Sequence, residues 1–127
     1  MAVEEKVIGS GVEANFRAML SVSEKLADTT GLAAAFLGLH RYFVMSGDLP
    51  RVHEQDVKNF RLAESIGDKR LLRTAHWGLG ASQIWRGELI AASEHSRNAY
   101  GGLTFADDQS FIATHLEAPG VTCRCFA

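Results

Sequence analysis

The chain of 127 residues holds only two cysteines, Cys123 and Cys125, and two prolines. Two cysteines cannot make a multi-bridge framework, and in helical geometry residues two apart do not face each other. A C-x-C pair without a second pair also falls short of a zinc ribbon, so both thiols are expected as small apolar side chains. No apolar run approaches the eighteen or more residues of a membrane span. The first residues, MAVEEKVIGSG, are acidic and carry no apolar h-region, so no secretion signal is expected and a cytoplasmic location is. A formal net charge of −2 gives no general pull toward nucleic acid or acidic membranes.

Catalytic motifs are missing too. No G-x-x-x-x-G-K-[ST] string occurs, so there is no phosphate cradle. Gly78-x-Gly80 lacks a third glycine and lies inside a helical pattern, which excludes a dinucleotide fingerprint. The histidines His40, His53, His76, His95 and His115 form no H-E-x-x-H motif. Zinc needs three or four converging ligands, so no metal and no cofactor are expected. No Ser-His-Asp order or nucleophile elbow is present. Lys69, Arg70 and Arg73 cluster at one helix start with Arg86 at its end. Without base-stacking aromatics or a wide positive stripe they read as a solvated face.

What is present is helical periodicity, repeated. Apolar residues make up 46% of the chain, enough for a core. Leu71 to Leu103 reads as two helices folded back across Gly87-Glu88. Leu72, Ala75 and Leu79 recur in the first, and Leu89, Ala92, Ala99 and Leu103 in the second. Gly87 marks the stop, because glycine takes the left-handed C′ conformation cheaply. Glu88 opens the next helix near its positive end. Gly78, Gly80 and Ala81 weaken a helix in isolation and make sense where another helix approaches closely. A shift of forty residues lays Gly87-Glu88-Leu89 on Gly47-Asp48-Leu49, Leu72 on Leu32, Ala75 on Ala35, Leu79 on Leu39 and Tyr100 on Phe60. Matches at core and turn positions mark an internal repeat with a period in the range of helical solenoids.

The expected fold is therefore all-α, with five main helices in antiparallel pairs stacked as a short tetratricopeptide-like α-solenoid. A flexible leader is expected over 1–11, then one helical-repeat domain over 12–127. Its pairs cover about 31–67 and 69–103, and a partial C-terminal repeat starts at 119. A helix runs Val12 to Ala27, and Asp28 to Gly31 breaks the pattern and supplies a cap. Leu32, Phe36, Leu39 and Phe43 form the stripe of the next helix. Gly47-Asp48 turns the chain, with Pro50 harmless in the first turn beyond. Gly67-Asp68 repeats that stop-and-cap device. Phe105 to Glu117 reads as loop, Ala118-Pro119-Gly120 as a break, and Val121 to Ala127 as the start of another helix without a polar cap. Such an end is either truncated or completed by a partner, so self-association through Val121, Phe126 and Ala127 is expected.

Four strings carry a family resemblance: Leu62 to Asp68, Ala75-His76-Trp77-Gly78-Leu79-Gly80, Trp85-Arg86-Gly87-Glu88-Leu89 and Pro119-Gly120-Val121. From roughly Val22 onward the chain resembles the tetratricopeptide-like C-terminal region of large bacterial signalling ATPases, the cyclase-associated and helix-turn-helix transcription regulators. The resemblance implies a piece or relative of a bacterial signal-transduction regulator. It does not carry over ATPase, cyclase or DNA-binding activity, because the nucleotide-binding domain is not in the matching stretch.

Trp77 and Trp85 share a helix face with Thr74, Ala81 and Ile84. By the repeat shift Arg41, Val44 and Met45 continue that face from the neighbouring pair. In stacked pairs such a face lines the concave surface, where Trp and Arg dominate binding energy. Packing of both tryptophans under a neighbouring helix is the simpler alternative. The leading expectation is a non-enzymatic module for a protein or peptide partner. The second is a small effector-binding regulator, with a pocket near Trp77, His76 and Arg41. The weakest is an enzyme pairing Glu88 or Glu94 with a histidine.

Overall fold

The computed structural model describes residues 2–100, with side chains from residue 11 to 99. The expectations for Phe105 to Glu117, Ala118 to Gly120 and the C-terminal segment lie outside the described residues. So do those for His115, Cys123 and Cys125, and the self-association surface at Val121, Phe126 and Ala127.

The described residues form five α-helices and no strand: α1 Ala2–Lys25, α2 Thr29–Met45, α3 Leu49–Ile66, α4 Lys69–Trp85 and α5 Leu89–Tyr100. Helical backbone in α1 begins at Ala2, through the stretch expected as a flexible leader and ahead of Val12, where apolar periodicity starts. Glycine in a helix costs only about 1 kcal/mol relative to alanine, so Gly9 and Gly11 are weak stops on their own.

The helix ends follow a rule of twenty residues. Ala27, Gly47, Gly67 and Gly87 all take positive φ, at 52°, 72°, 76° and 77°. Asp28, Asp48 and Asp68 each follow such a residue and cap the next helix, their carboxylates accepting from the N–H of Gly31, Arg51 and Leu71. After α2 the N–H of Asp48 donates to the Phe43 carbonyl and that of Gly47 to Val44. After α4, Glu88 and Gly87 repeat this with Gln83 and Ile84, and after α1 Asp28 and Ala27 with Ser23 and Glu24. These paired bonds satisfy the carbonyls left over at a helix end.

α1 packs on α2, α2 on both α3 and α4, α3 on α4, and α4 on α5. α4 is the central element, and its buried Gly78, Gly80, Ala81 and Ser82 allow that. A methyl on Gly80 would lie 3.4 Å from the Ala92 carbonyl and 3.2 Å from Ser96 Oγ. Close approach of α5 thus depends on a bare backbone there. Leu32 and Phe36 of α2 meet Ala63 of α3 with Leu71 and Ala75 of α4 in one core cluster. Leu39 and Phe43 of α2 enclose Val52 of α3 in a second.

Candidate functional site

Beside these apolar clusters, part of the interior shared by α2, α3 and α4 is polar. Val52 and Ala63 are the apolar residues that α3 buries, but Gln55, Asp56 and Asn59 are buried beside them. Forty residues before Asp56 stands Phe16, so a carboxylate occupies a place filled by an aromatic ring in the preceding unit. Its partner is His40 of α2, whose Nδ1–H donates to Asp56 Oδ2 at 2.8 Å and Oδ1 at 3.0 Å, with both side chains buried. A buried carboxylate without such a donor would cost several kcal/mol. Gly78 makes room for it, since a methyl there would sit 3.2 Å from Asp56 Oδ1.

Further polar contacts extend the layer. Gln55 Nε2 donates to Asn59 Oδ1 at 2.9 Å, and Arg17 of α1 donates to Gln55 Oε1 at 3.3 Å. Ser82 Oγ gives its one proton to the Leu79 carbonyl, so His53 Nδ1–H donates to the Ser82 oxygen at 3.2 Å. A small cavity of about 10 Å³ lies among His40, Asp56, Asn59, Thr74 and Trp77. That volume holds about one water. Trp77 Nε1 is buried without a hydrogen-bond partner in the protein.

His40 is also the base of an aromatic stack. Its ring centre lies 5.1 Å from Trp77, tilted by 57°, and 5.9 Å from Trp85, near-parallel at 25°. Trp77 is enclosed with Leu37 and Ala99, while Trp85 is almost half exposed. Met45, the residue forty before Trp85, is exposed as well, and so are Leu49, Leu89 and Ile90 at the turns that follow. The ends of α2 and α4 therefore present large apolar side chains to solvent.

The residues expected on one concave face divide by burial. Thr74, Trp77 and Ala81 are buried, with Thr74 Oγ1 donating to the Arg70 carbonyl. Arg41, Val44 and Ile84 are half-buried, and Met45 and Trp85 face solvent. His40 and Asp56 belong to the same layer but carried no motif. The substitution of Asp56 for Phe16 within the repeat is the signal that could have found them.

A histidine pair joins α4 to α5. His76 Nδ1 and His95 Nδ1 are 2.7 Å apart, so one ring donates its N–H to the other. Phe60 meets both rings edge-on. Burial first and the His95 charge second push the His76 pKa down to about 4. Burial also lowers that of His95, against the opposing pull of Glu94 and Glu64. Glu88 is held by Arg86 Nε at 2.7 Å, which lowers its pKa.

Among the described residues no three or more His, Cys, Asp and Glu side chains could together hold a metal ion. None of their helices is long and apolar enough to cross a membrane. No protein-family model matches the chain, and no curated protein and no solved structure is significantly similar to it.

Proposed function

We propose that the chain is a non-enzymatic, tetratricopeptide-like module whose antiparallel helix pairs stack as a short α-solenoid and bind a protein or peptide. The stacking is supported by α2 touching both its own partner α3 and the next leading helix α4, at a repeat of forty residues. The four family-like strings favour a piece or relative of a bacterial signalling or transcription regulator, working in the cytoplasm.

One observation carries the binding reading: the exposed Trp85 indole rests on a His40 ring that Asp56 holds in place. A side chain already ordered before contact loses little entropy on binding, and Trp is the residue most enriched at interface hot spots. Met45, Leu89 and Ile90, near the same helix ends in sequence, are exposed as well. The small-effector reading has less support. Ligand pockets run to about 300 Å³ or more, and the cavity beside Trp77 is about 10 Å³.

The test is site-specific photo-crosslinking in cells from position 45, with position 58, an exposed lysine, as control. A protein captured only from position 45 is then purified and titrated against the wild type and Trp85→Ala. Binding weakened at least tenfold by Trp85→Ala supports the reading. Equal binding by the two chains, or capture from both positions alike, rejects it.

A further inference from the structure

α5 is held to the bundle by small side chains and one histidine. Of the other helices, α4 alone packs along it. Among the described side chains of α5 the buried ones are Ala92, Ser96 and Ala99, which bring little apolar area with them. Leu89 and Ile90 are 64% and 83% exposed, and Glu94, Arg97 and Asn98 are exposed too. His95 is the one described side chain larger than serine that α5 buries even in part. Its Nδ1 meets His76 Nδ1 of α4 at 2.7 Å, with Phe60 of α3 edge-on to both rings.

The repeat shows what is unusual about this contact. Forty residues before His76 stands Phe36, buried in the core cluster with Leu32 and Leu71, and forty before His95 stands the buried Gln55. Neither of those side chains titrates. At the contact of α4 with α5 both places are taken by groups that gain charge in mild acid. One N–H between the rings is enough for the bond, so the pair stays closed with no added proton or with one. A second proton leaves two N–H donors and two positive charges face to face, with no acceptor between them. Glu64 of α3 and Glu94 of α5 favour a proton on His95. On α4 itself Arg73, one turn before His76, carries a further positive charge.

We infer that the His76–His95 pair is an acid-sensitive latch, which in its doubly charged form lets α5 come off α4 while α1 to α4 stay packed. The remaining helices keep their own contacts, since Leu32 and Phe36 of α2 hold Ala63 of α3 with Leu71 and Ala75 of α4. Release takes Ala99 away from the Trp77 indole, which shares the His40 ring with Trp85. The latch does not depend on whether Trp85 meets a partner. While α5 is in place, burial and then His95 hold the His76 pKa at about 4. A freed histidine titrates near 6.5. Between these values the released form takes up protons that the docked form refuses, so release grows as pH falls. Partial solvent access to both rings moderates the effect, and the opening constant should rise about tenfold from pH 7 to pH 5.

Native-state amide hydrogen exchange of the full chain, at both pH values and in low urea, reads this opening. Each rate is divided by the intrinsic rate at its pH. Amides of α5 should exchange faster than the core amides of α2 and α3, and with a smaller urea dependence, because release exposes little surface. Their protection should fall about tenfold from pH 7 to pH 5. His76→Phe places the residue of position 36 in α4, and His95→Gln that of position 55 in α5. Either variant should cut the fall to about threefold or less, because one titrating ring is gone. If His76→Phe does not fold, His95→Gln carries the comparison alone. Exchange of α5 with the rate and urea dependence of α2 and α3 at both pH values overturns the latch, since α5 then opens only when the whole chain unfolds. So does a tenfold fall that survives in the folded variants, because other groups would then be responsible.

Discussion

Asp56 holds His40 with both carboxylate oxygens, at 2.8 and 3.0 Å, in the layer where α2, α3 and α4 meet. The pair ties α3 to α2 and positions the ring under both tryptophans. Asp56→Ala leaves a buried N–H without an acceptor and opens space beside Gly78. A buried donor left unsatisfied costs about 1–3 kcal/mol, and the lost packing adds to it. We expect Asp56→Ala to lose about 2–4 kcal/mol in urea unfolding and to change tryptophan fluorescence in the folded state. Asp56→Asn keeps one acceptor and should lose less than half as much. Equal losses for the two would mean that the hydrogen bond contributes little.

The Phe16 ring of α1 packs on the bare Cα of Gly38 in α2. Adding a methyl at Gly38 forces the ring aside, and overpacking of this kind costs about 1–3 kcal/mol. Gly38→Ala should therefore destabilise although alanine is the better helix former. In a Phe16→Leu background the penalty should shrink, because the two sites share one space. Additive losses in the double mutant would contradict this account.

Ala27 occupies the turn position that glycine holds at 47, 67 and 87, and its φ of 52° is strained for a residue with a Cβ. Ala27→Gly should relieve that strain and stabilise the chain, by about 0.5 kcal/mol after the greater freedom of glycine in the unfolded state is counted. Gly47→Ala should do the reverse by about 1 kcal/mol. Thermal melts of the two variants shifting in the same direction would refute the proposed equivalence of these turns.

The turns were readable because each rests on local chemistry. A glycine able to take positive φ, followed by an aspartate able to cap, is visible at 47–48 and 67–68 without any tertiary information. The turn at Ala27-Asp28 has the same geometry but no glycine, so only its cap was legible. The close approach on α4 was readable from Gly78 and Gly80, whose helix propensity makes no sense otherwise. The polar layer was not. His40, Gln55, Asp56 and Asn59 follow the apolar stripe in position but not in composition, and hydrophobic periodicity passes over such residues. Which side of α4 faces inward was equally hidden, because α4 is covered by α2, α3 and α5 together and buries most of its circumference. Thr74, Trp77 and Ala81 shared a face with Trp85 in the helical pattern, yet only the last, at the helix end, reaches solvent.

The His76–His95 bond makes stability depend on pH in a definite direction. His76 titrates at about 4 in the folded chain because burial, and then the neighbouring His95, disfavour its charged form. An unfolded histidine titrates near 6.5. Between those values the unfolded chain takes up a proton that the folded chain refuses, so stability is full above about pH 6.5 and falls as pH drops toward 4. His95 is shifted the same way, moderated by Glu94 and Glu64, and Phe60 adds no charge. The limit for one proton is about 1.4 kcal/mol per pH unit. Both rings are partly open to solvent, which lowers this to about 1–2 kcal/mol in all between pH 7 and 5. His76→Phe removes one titrating ring and keeps an aromatic side chain against Phe60. Its stability should fall less steeply than that of the wild type over this range, and parallel curves in urea unfolding at several pH values would exclude the histidine pair as the cause.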